Sequence, residues 1–409
     1  SPIFGVLMKM KRRQLLQGLC SSPLWSINPS AANPLSSSDS DNIIFITCFG
    51  GWDPTRVLAA EFDNPLVAME VEAEPREIGG LRFVDHPERR SVRRFFEEYG
   101  NLATIVHGIL TPSVAHEACL KLIRTGFISN HPDWMSILAK EKYWEAPLPH
   151  VSISGQSFPE ELAHLFTRIG SGGQLEALLS GELHHWLDEE LSSPPASLLQ
   201  AEKELRERRW IRNLEEEQSE RFQTIDRLQR RGNQLKQQQA EVDWSSDGSF
   251  LGDCNLAVEL LRSGLTQCIS IEHPALWDSH SNNDIYQFWL WEELFFGLGQ
   301  LCDALGELLE NTTIVVASDM GRSPQLNSDL GKDHWPYSSA MILSSKMEGA
   351  RSIGGYDAAF LGEMLDRNTM TVSNVGTPIH AMDFAASILN LMDVNWQGAF
   401  PMAAPLYFL

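Results

Sequence analysis

Acidic and imidazole side chains follow three separate apolar segments of this sequence. They are Asp53, Asp278, His280, Asp319, Asp333 and His334. Carboxylate oxygens and imidazole nitrogens suit divalent metal ions such as zinc, manganese or calcium. Taken alone, the stretch around Asp319 is equally consistent with a helix cap at Asp319 and a loop histidine bonded within the protein. Three acid-bearing segment ends with two histidines predict a site for one or two divalent metal ions.

A hydroxyl and an imidazole at a predicted helix start could also take part in chemistry. The helix predicted over 116–126 follows a strand, so its free N–H groups would favour an anion at the same sheet edge. Thr111 precedes a proline, which disfavours helical backbone there, and Ser113 is then the better candidate nucleophile. His116 could bind metal or protonate a leaving group. The alternative is that Ser113 only caps the helix while His116 faces solvent or core.

The segments that must position these residues are predicted to be the strands and helices of an α/β domain. Segments 42–49 and 313–318 are apolar and rich in β-branched residues, as is typical of strands buried on both faces. Ligands bind beyond the carboxyl ends of parallel strands, so the acids are expected at one sheet edge. Further strands are predicted at 102–107, 150–154, 267–272 and, as an edge strand, 339–343; further helices are predicted near 255–261, over 284–309 and from 377 onwards.

Composition narrows the class of protein. The chain has 409 residues, 43% of them hydrophobic, with no apolar run of membrane-spanning length. Its formal net charge of −22 argues against a nucleic-acid partner or an anionic membrane surface. The six cysteines form no closely spaced pair, which argues against a zinc ribbon or a disulfide framework.

Three regions of different composition define the predicted domain organisation. Residues 1–41 carry Arg12 and Arg13 ahead of leucines and a serine-rich stretch, which indicates a twin-arginine-type export signal and a linker. Residues 42–409 form the α/β domain. Within it, residues 196–240 are rich in charge with periodic leucines, which predicts a helical insertion. That insertion is either a solvated arm or a surface for a partner helix or self-association.

Five motifs taken together resemble a known family. FGGWD, WDSHSNN, SDMGRSP, GKDHWP and TPIHAMDFAASIL occur in this order between residues 49 and 389. The set is similar to the twin-arginine-exported, sulfatase-like family (domain of unknown function, DUF1501 type) of the alkaline phosphatase superfamily. The resemblance implies an alkaline-phosphatase-like three-layer sandwich, with a mostly parallel sheet between helices, and hydrolysis or transfer of phosphate or sulfate esters.

The resemblance also implies roles for individual residues. Asp278, His280 and His334 resemble the ligands of one metal, Asp53 and Asp319 resemble those of a second, and Arg322 would steady an anionic ester oxygen. Two residues of this sequence depart from the family pattern and argue against these roles. Met320 occupies a position where many superfamily members have histidine, and His116 stands where the nucleophile is expected.

The sequence therefore predicts a periplasmic or secreted metal-dependent hydrolase that acts on a small-molecule or glycan ester. The alternative is a catalytically silent member of the superfamily that binds anionic glycans or cell-surface polymers.

Overall fold

The structure, a computed structural model, describes residues 41–169 and 246–408 with scattered positions between 197 and 244. The predicted export signal and most of the charged insertion lie outside the described residues, so both remain predictions. No helix in the described part of the chain is long and apolar enough to cross a bilayer.

The described elements alternate between strands and helices along most of the chain. The helices are α1 (Arg90–Tyr99), α2 (His116–Thr125), α3 (Trp134–Lys142), α4 (Phe250–Arg262), α5 (Asn283–Leu305) and α6 (Ala381–Leu391). The strands are β1 (Asn42–Cys48), β2 (Glu74–Ile78), β3 (Leu81–Asp85), β4 (Ala103–Leu110), β5 (His150–Ser152), β6 (Phe166–Arg168), β7 (Cys268–Glu272), β8 (Thr312–Ser318), β9 (Gly321–Arg322), β10 (His334–Trp335), β11 (Tyr337–Leu343), β12 (Arg351–Ile353), β13 (Leu365–Asp366), β14 (Thr371–Val372) and β15 (Ile379–His380).

One central sheet organises the described residues. Its strand order is β12-β4-β11-β8-β1-β7-β5-β6, and β15 also pairs with β4. β11 is antiparallel to both of its neighbours, and the other strand pairs of this sheet are parallel. The carboxyl ends of β1, β4, β7 and β8 therefore lie at the same edge. The predicted fold class, a mostly parallel sheet flanked by helices, is confirmed.

The prediction that 339–343 is an edge strand is wrong. β11 lies inside the sheet, between β4 and β8. Its serines suggest a solvated strand, but their hydroxyls are bonded internally: the Trp52 indole N–H donates to Ser338 Oγ at 2.9 Å, and Ser339 Oγ lies 2.9 Å from His107 Nδ1. Buried hydroxyls with such partners cost little, so a strand containing serines can be central.

Helices cover both faces of the sheet and bury two separate cores. Alternate residues of β1 point to opposite sides, as the period of a strand requires. Ile44 and Ile46 pack with residues of α1, α4 and α5, whereas Ile43 and Phe45 pack with residues of α2, α3 and α6. All seven residues of β1 and all seven of β8 are buried, as predicted for strands covered on both faces.

Two glycines allow the loop after β1 to lie against the loop after β7. Gly50 and Gly51 have φ angles of +112° and +78°, which L side chains rarely adopt. A Cβ atom at Gly50 would lie 2.6 Å from the Trp277 backbone nitrogen, so any larger residue would push the two loops apart. This close approach places Asp278 beside the ends of β1 and β8.

Candidate metal centre

His116, the first residue of α2, is hydrogen-bonded to Asp319, which comes immediately after β8. His116 Nδ1 lies 2.6 Å from Asp319 Oδ2, and the Gly50 and Gly51 N–H groups donate to Asp319 Oδ1 at 2.9 and 2.8 Å. Burial lowers the pKa of His116, but the hydrogen bond and charge of Asp319 outweigh burial, so the pKa is raised overall. Since a carboxylate only accepts hydrogen bonds, His116 Nδ1 is the donor.

Two histidines from the neighbouring loops are held in the same manner. His280 Nδ1 lies 3.2 Å from Asp333 Oδ1, and His334 Nδ1 lies 2.6 Å from the Val114 carbonyl oxygen. Both partners are acceptors, so Nδ1 carries the proton in each ring. All three imidazoles are thus fixed in the tautomer that leaves a lone pair on Nε2, the arrangement found around metal-bound histidines.

The three Nε2 atoms meet at one carboxylate oxygen. Asp278 Oδ1 lies 3.1 Å from His280 Nε2, 3.4 Å from His334 Nε2 and 3.6 Å from His116 Nε2. His280 Nε2 and His334 Nε2 are themselves 2.9 Å apart. Four ligands at zinc bond lengths in a tetrahedron would be about 3.4 Å apart. The observed separations are close to that value.

The donor set fits a metal ion better than it fits hydrogen bonding alone. Two Nε2 lone pairs 2.9 Å apart repel one another unless a cation or a proton lies between them. His116 Nε2 is buried and has no hydrogen-bond partner. His116, Asp278 and His334 also offer ligand atoms within 4.8 Å of one another. These residues would hold one divalent ion, with Asp319, Asp333 and the Val114 carbonyl orienting the three rings.

Arg322 is a buried residue that holds the Asp278 carboxylate in place. Its side chain is fully buried, and Nη2 donates to Asp278 Oδ1 at 2.5 Å. Nε donates to the Gly51 carbonyl at 2.8 Å, Nη1 donates to the Lys332 carbonyl at 3.0 Å, and Nη2 also donates to the Gly50 carbonyl. Burial raises the pKa of Asp278, but the Arg322 hydrogen bond and charge lower it further, so the carboxylate stays ionised.

The contact of Arg322 with a substrate oxygen stays a prediction, and the structure shows this guanidinium bonded within the protein. Four of its five N–H groups are bonded within the protein, and the side chain has no exposed surface. One N–H of this buried guanidinium is left for a further acceptor. Arg322 positions Asp278 and the Gly50-Gly51 turn.

Asp53 has protein cations as partners in place of a second metal. Lys332 Nζ lies 2.9 Å from Asp53 Oδ2, and Arg56 Nε lies 3.5 Å from the same oxygen. Thr55 and Asn283 donate further hydrogen bonds to this carboxylate, and all of these residues are buried. Burial raises the pKa of Asp53, but Lys332 and Arg56 lower it well below its usual value. Burial also lowers the pKa of Lys332 to about 8.

The residues expected at a second metal therefore do not fit one. The Asp53 carboxylate is already neutralised by two side chains, and both oxygens of Asp319 accept protein hydrogen bonds. A divalent ion at Asp53 would face the Lys332 ammonium at close range. Of the predicted metal ligands, the structure brings Asp278, His280 and His334 together and places Asp319 and Asp333 behind the rings of His116 and His280.

Ser113 precedes the helix and has local partners. α2 begins at His116 with Ala115 as its N-cap residue, so Ser113 is not the cap. Its hydroxyl accepts a hydrogen bond from the Ala115 N–H at 3.1 Å and interacts with the Cys119 thiol. Burial is the main reason that the pKa of Cys119 is raised to about 11, which keeps this thiol protonated.

Sequence reasoning did not find Lys332 or Arg56. Both residues stand in motifs that drew attention for other side chains: Lys332 precedes Asp333 and His334, and Arg56 follows Asp53 by three positions. Their role depends on which loops meet in three dimensions. One local signal did indicate a structural role for Asp53. Thr55 stands two residues later, and an aspartate that accepts a hydrogen bond from a hydroxyl at that spacing is a common feature of turns.

Comparison with known proteins identifies a family profile for half of the chain. The profile described as "Protein of unknown function (DUF1501)" matches residues 196–404, which include Asp278, His280, Asp319 and His334. No curated protein matches the sequence.

Several solved structures resemble the fold at low sequence identity. The lipoteichoic acid synthase LtaP from Listeria monocytogenes is 8% identical, with a TM-score of 0.39 over 93% of this chain and 78% of that protein. Ps i-CgsB in complex with k-i-k-neocarrahexaose is 11% identical, with a TM-score of 0.40 over 90% and 77%. The PsFucS1 sulfatase from Pseudoalteromonas sp. is 11% identical, with a TM-score of 0.36 over 90% and 70%. At these values the likeness carries no information on activity.

Proposed function

Since the chain belongs to the DUF1501 family, we propose that it is an exported metal-dependent hydrolase of sulfate or phosphate esters. The observation that carries this proposal is the convergence of three imidazole Nε2 atoms on Asp278 Oδ1, with every Nδ1 proton already bonded elsewhere. Three imidazoles and one carboxylate favour zinc or a similar transition metal. Calcium prefers a site made of oxygen ligands, which this donor set does not offer.

A divalent ion held there would polarise an ester oxygen and make a bound water or hydroxyl more acidic. The residues of this chain bind and orient it. Asp278 supplies the anionic ligand, and Arg322 keeps that carboxylate ionised and in place. Asp319, Asp333 and the Val114 carbonyl hold the three rings, so little reorganisation is needed when a metal binds.

Access to the centre is from the side of His280. The side chain of His280 is 48% exposed, whereas that of Asp319 is fully buried. Two exposed apolar residues flank the opening: Val114, whose carbonyl binds His334, and Leu330, which forms a β-bridge with Ser281. Apolar side chains beside a metal would accommodate the organic part of an ester while the anionic group faces the ion.

Metal reconstitution followed by a substrate screen tests this function. The protein is stripped with a chelator, loaded separately with zinc, manganese or calcium, and assayed with 4-nitrophenyl sulfate, 4-nitrophenyl phosphate and bis(4-nitrophenyl) phosphate. We expect metal-dependent release of nitrophenol that is lost in Asp278→Asn and retained in Asp63→Asn. Asp63 is a matched control because its side chain is 92% exposed. A protein that binds zinc but hydrolyses none of these esters would contradict the proposal.

The second candidate is a silent binding protein for anionic glycans. One observation favours it: in the part of the chain that the structure describes, no hydroxyl or thiol forms a hydrogen bond with His116 Nε2, and the Ser113 hydroxyl bonds to Ala115 instead. The same screen separates the two functions, because a binding protein would take up a sulfated oligosaccharide without releasing sulfate.

A further inference from the structure

Three buried cations beside the metal centre are committed to protein partners. Arg322 is the one lysine or arginine within the described ranges that forms an ion pair with Asp278, and it is fully buried. Lys332 and Arg56 are equally buried and are bound to Asp53, with Arg56 also bound to Asp284. None of these three side chains can reach a substrate at the mouth of the site.

The formal charges at the centre cancel when a divalent ion is bound. Three carboxylates hold or orient the ligand set: Asp278, Asp319 and Asp333. The divalent metal ion and the guanidinium of Arg322 supply the positive charges that balance these carboxylates. The neighbouring group of Asp53, Asp284, Lys332 and Arg56 is likewise balanced within itself. The neutral imidazoles add no charge.

From this balance we infer that the centre selects ester groups that carry one negative charge, such as sulfate monoesters and phosphodiesters, over the dianionic group of a phosphate monoester. The inference rests on the proposed function and narrows its substrate class. A single negative charge can face the metal ion directly. A second charge would lose its hydration on entering the site, and none of these three cations is free to replace that water.

The size of the expected effect follows from Coulomb's law. An unopposed unit cation about 4 Å from the second charge would favour a dianion by roughly a thousandfold at an effective dielectric constant near 20. A balanced site removes most of that preference. We therefore expect a monoanion to bind at least as tightly as a dianion of the same shape.

A pair of inert ligands measures this difference without catalysis. Benzenesulfonate and phenylphosphonate have the same ring and the same three terminal oxygens, but at about pH 7.5, above the second pKa of a phosphate group, the phosphonate carries two charges. Their dissociation constants are measured by calorimetry on protein whose zinc content has been verified. We expect benzenesulfonate to bind at least as tightly as phenylphosphonate, and tighter binding of phenylphosphonate would overturn the inference.

A charge variant at the mouth of the site gives a second measurement. Asp333→Asn keeps an acceptor for His280 Nδ1 but removes one negative charge, so phenylphosphonate should gain severalfold relative to benzenesulfonate at low ionic strength. Asp329→Asn removes a charge from the same exposed loop, and Asp329 makes no ion pair with the three histidines. Equal ratios in both variants and the parent protein would overturn the inference.

Two results distinguish a failure of this inference from a failure of the proposed function. Absence of turnover with every ester refutes the hydrolase but leaves the affinity ratio of the two inert ligands measurable. Turnover combined with tighter binding of phenylphosphonate refutes the charge selection and leaves the hydrolase standing.

Discussion

His116 and Asp319 lie 203 residues apart in sequence, yet His116 Nδ1 and Asp319 Oδ2 are 2.6 Å apart. The contact joins the start of α2 to the end of β8, on either side of the site. Asp319 also accepts hydrogen bonds from the turn that follows β1. One buried carboxylate thus aligns three separate segments of the chain around the position where His116 Nε2 faces Asp278.

The role of Asp319 predicts an effect of Asp319→Asn on metal affinity. Asparagine can still accept from the two glycine N–H groups, but its amide then offers an N–H to His116 Nδ1. His116 would change tautomer and place its proton on Nε2, where the metal should bind. We expect zinc affinity to fall about 10- to 100-fold, measured by competition with a chelator.

Asp63→Asn is the control for this variant, since it removes an exposed carboxylate whose one ion pair within the described residues is with Arg82. Unchanged zinc affinity in a folded Asp319→Asn protein would show that Asp319 does not orient a metal ligand.

The partners of Asp53 predict a loss of stability without loss of metal. Asp53→Asn leaves the buried Lys332 ammonium unpaired, which should lower the free energy of unfolding by about 3–5 kcal/mol. Zinc should stay at one ion per chain, since Asp53 is not part of the ligand set. Urea unfolding and metal analysis of the same preparation measure both quantities.

A double variant separates the ion pair from other effects of the substitution. Adding Lys332→Met to Asp53→Asn removes the unpaired charge and should recover part of the lost stability. Loss of zinc from the folded double variant would instead support Asp53 as a metal ligand.

Buried histidines predict that acid destabilises the fold. His150 is fully buried between the Ser136 and Ser270 hydroxyls, and burial lowers its pKa from 6.5 to about 4. Below pH 6.5 the unfolded chain takes up a proton that the folded chain refuses, so this contribution to stability is present above pH 6.5 and is lost as the pH falls toward 4. Burial lowers the pKa of His107 and His273 to about 4 as well.

His150→Gln tests this pH dependence with His164→Gln as the exposed control. The free energy of unfolding should fall between pH 7.5 and 5 by about 2 kcal/mol less in His150→Gln than in the parent protein. The pH dependence of His164→Gln should match the parent. An unchanged pH dependence in His150→Gln would contradict the assignment of a neutral buried imidazole.

Ser113 and His116 have different expected effects on ester hydrolysis. The Ser113 hydroxyl bonds to the Ala115 N–H, so Ser113→Ala should cost about 1 kcal/mol of stability and keep most turnover. His116→Ala should lose both zinc affinity and turnover, because it removes one of the converging nitrogens. Abolished turnover in Ser113→Ala with zinc still bound would identify Ser113 as the nucleophile that the sequence indicates.

The sequence allowed the sheet edge to be predicted because the signals there are local. β-branched runs mark β1 and β8, and the acids Asp53 and Asp319 follow them closely. The pairing of Lys332 with Asp53 could not be predicted, because it depends on how a loop from the far end of the chain folds over the turn after β1. The hydrogen bonds from Arg322 to backbone carbonyls could not be predicted either. An arginine that binds substrate would stand in the same sequence motif.

The most direct test of the account is the coordination of zinc in the reconstituted protein by X-ray absorption spectroscopy. We predict a first shell of nitrogen and oxygen at about 2.0–2.1 Å without sulfur, with scattering from three imidazoles that drops to two in His116→Ala. A bound zinc ion with sulfur ligands, or with the same imidazole count in both proteins, would contradict the centre described here.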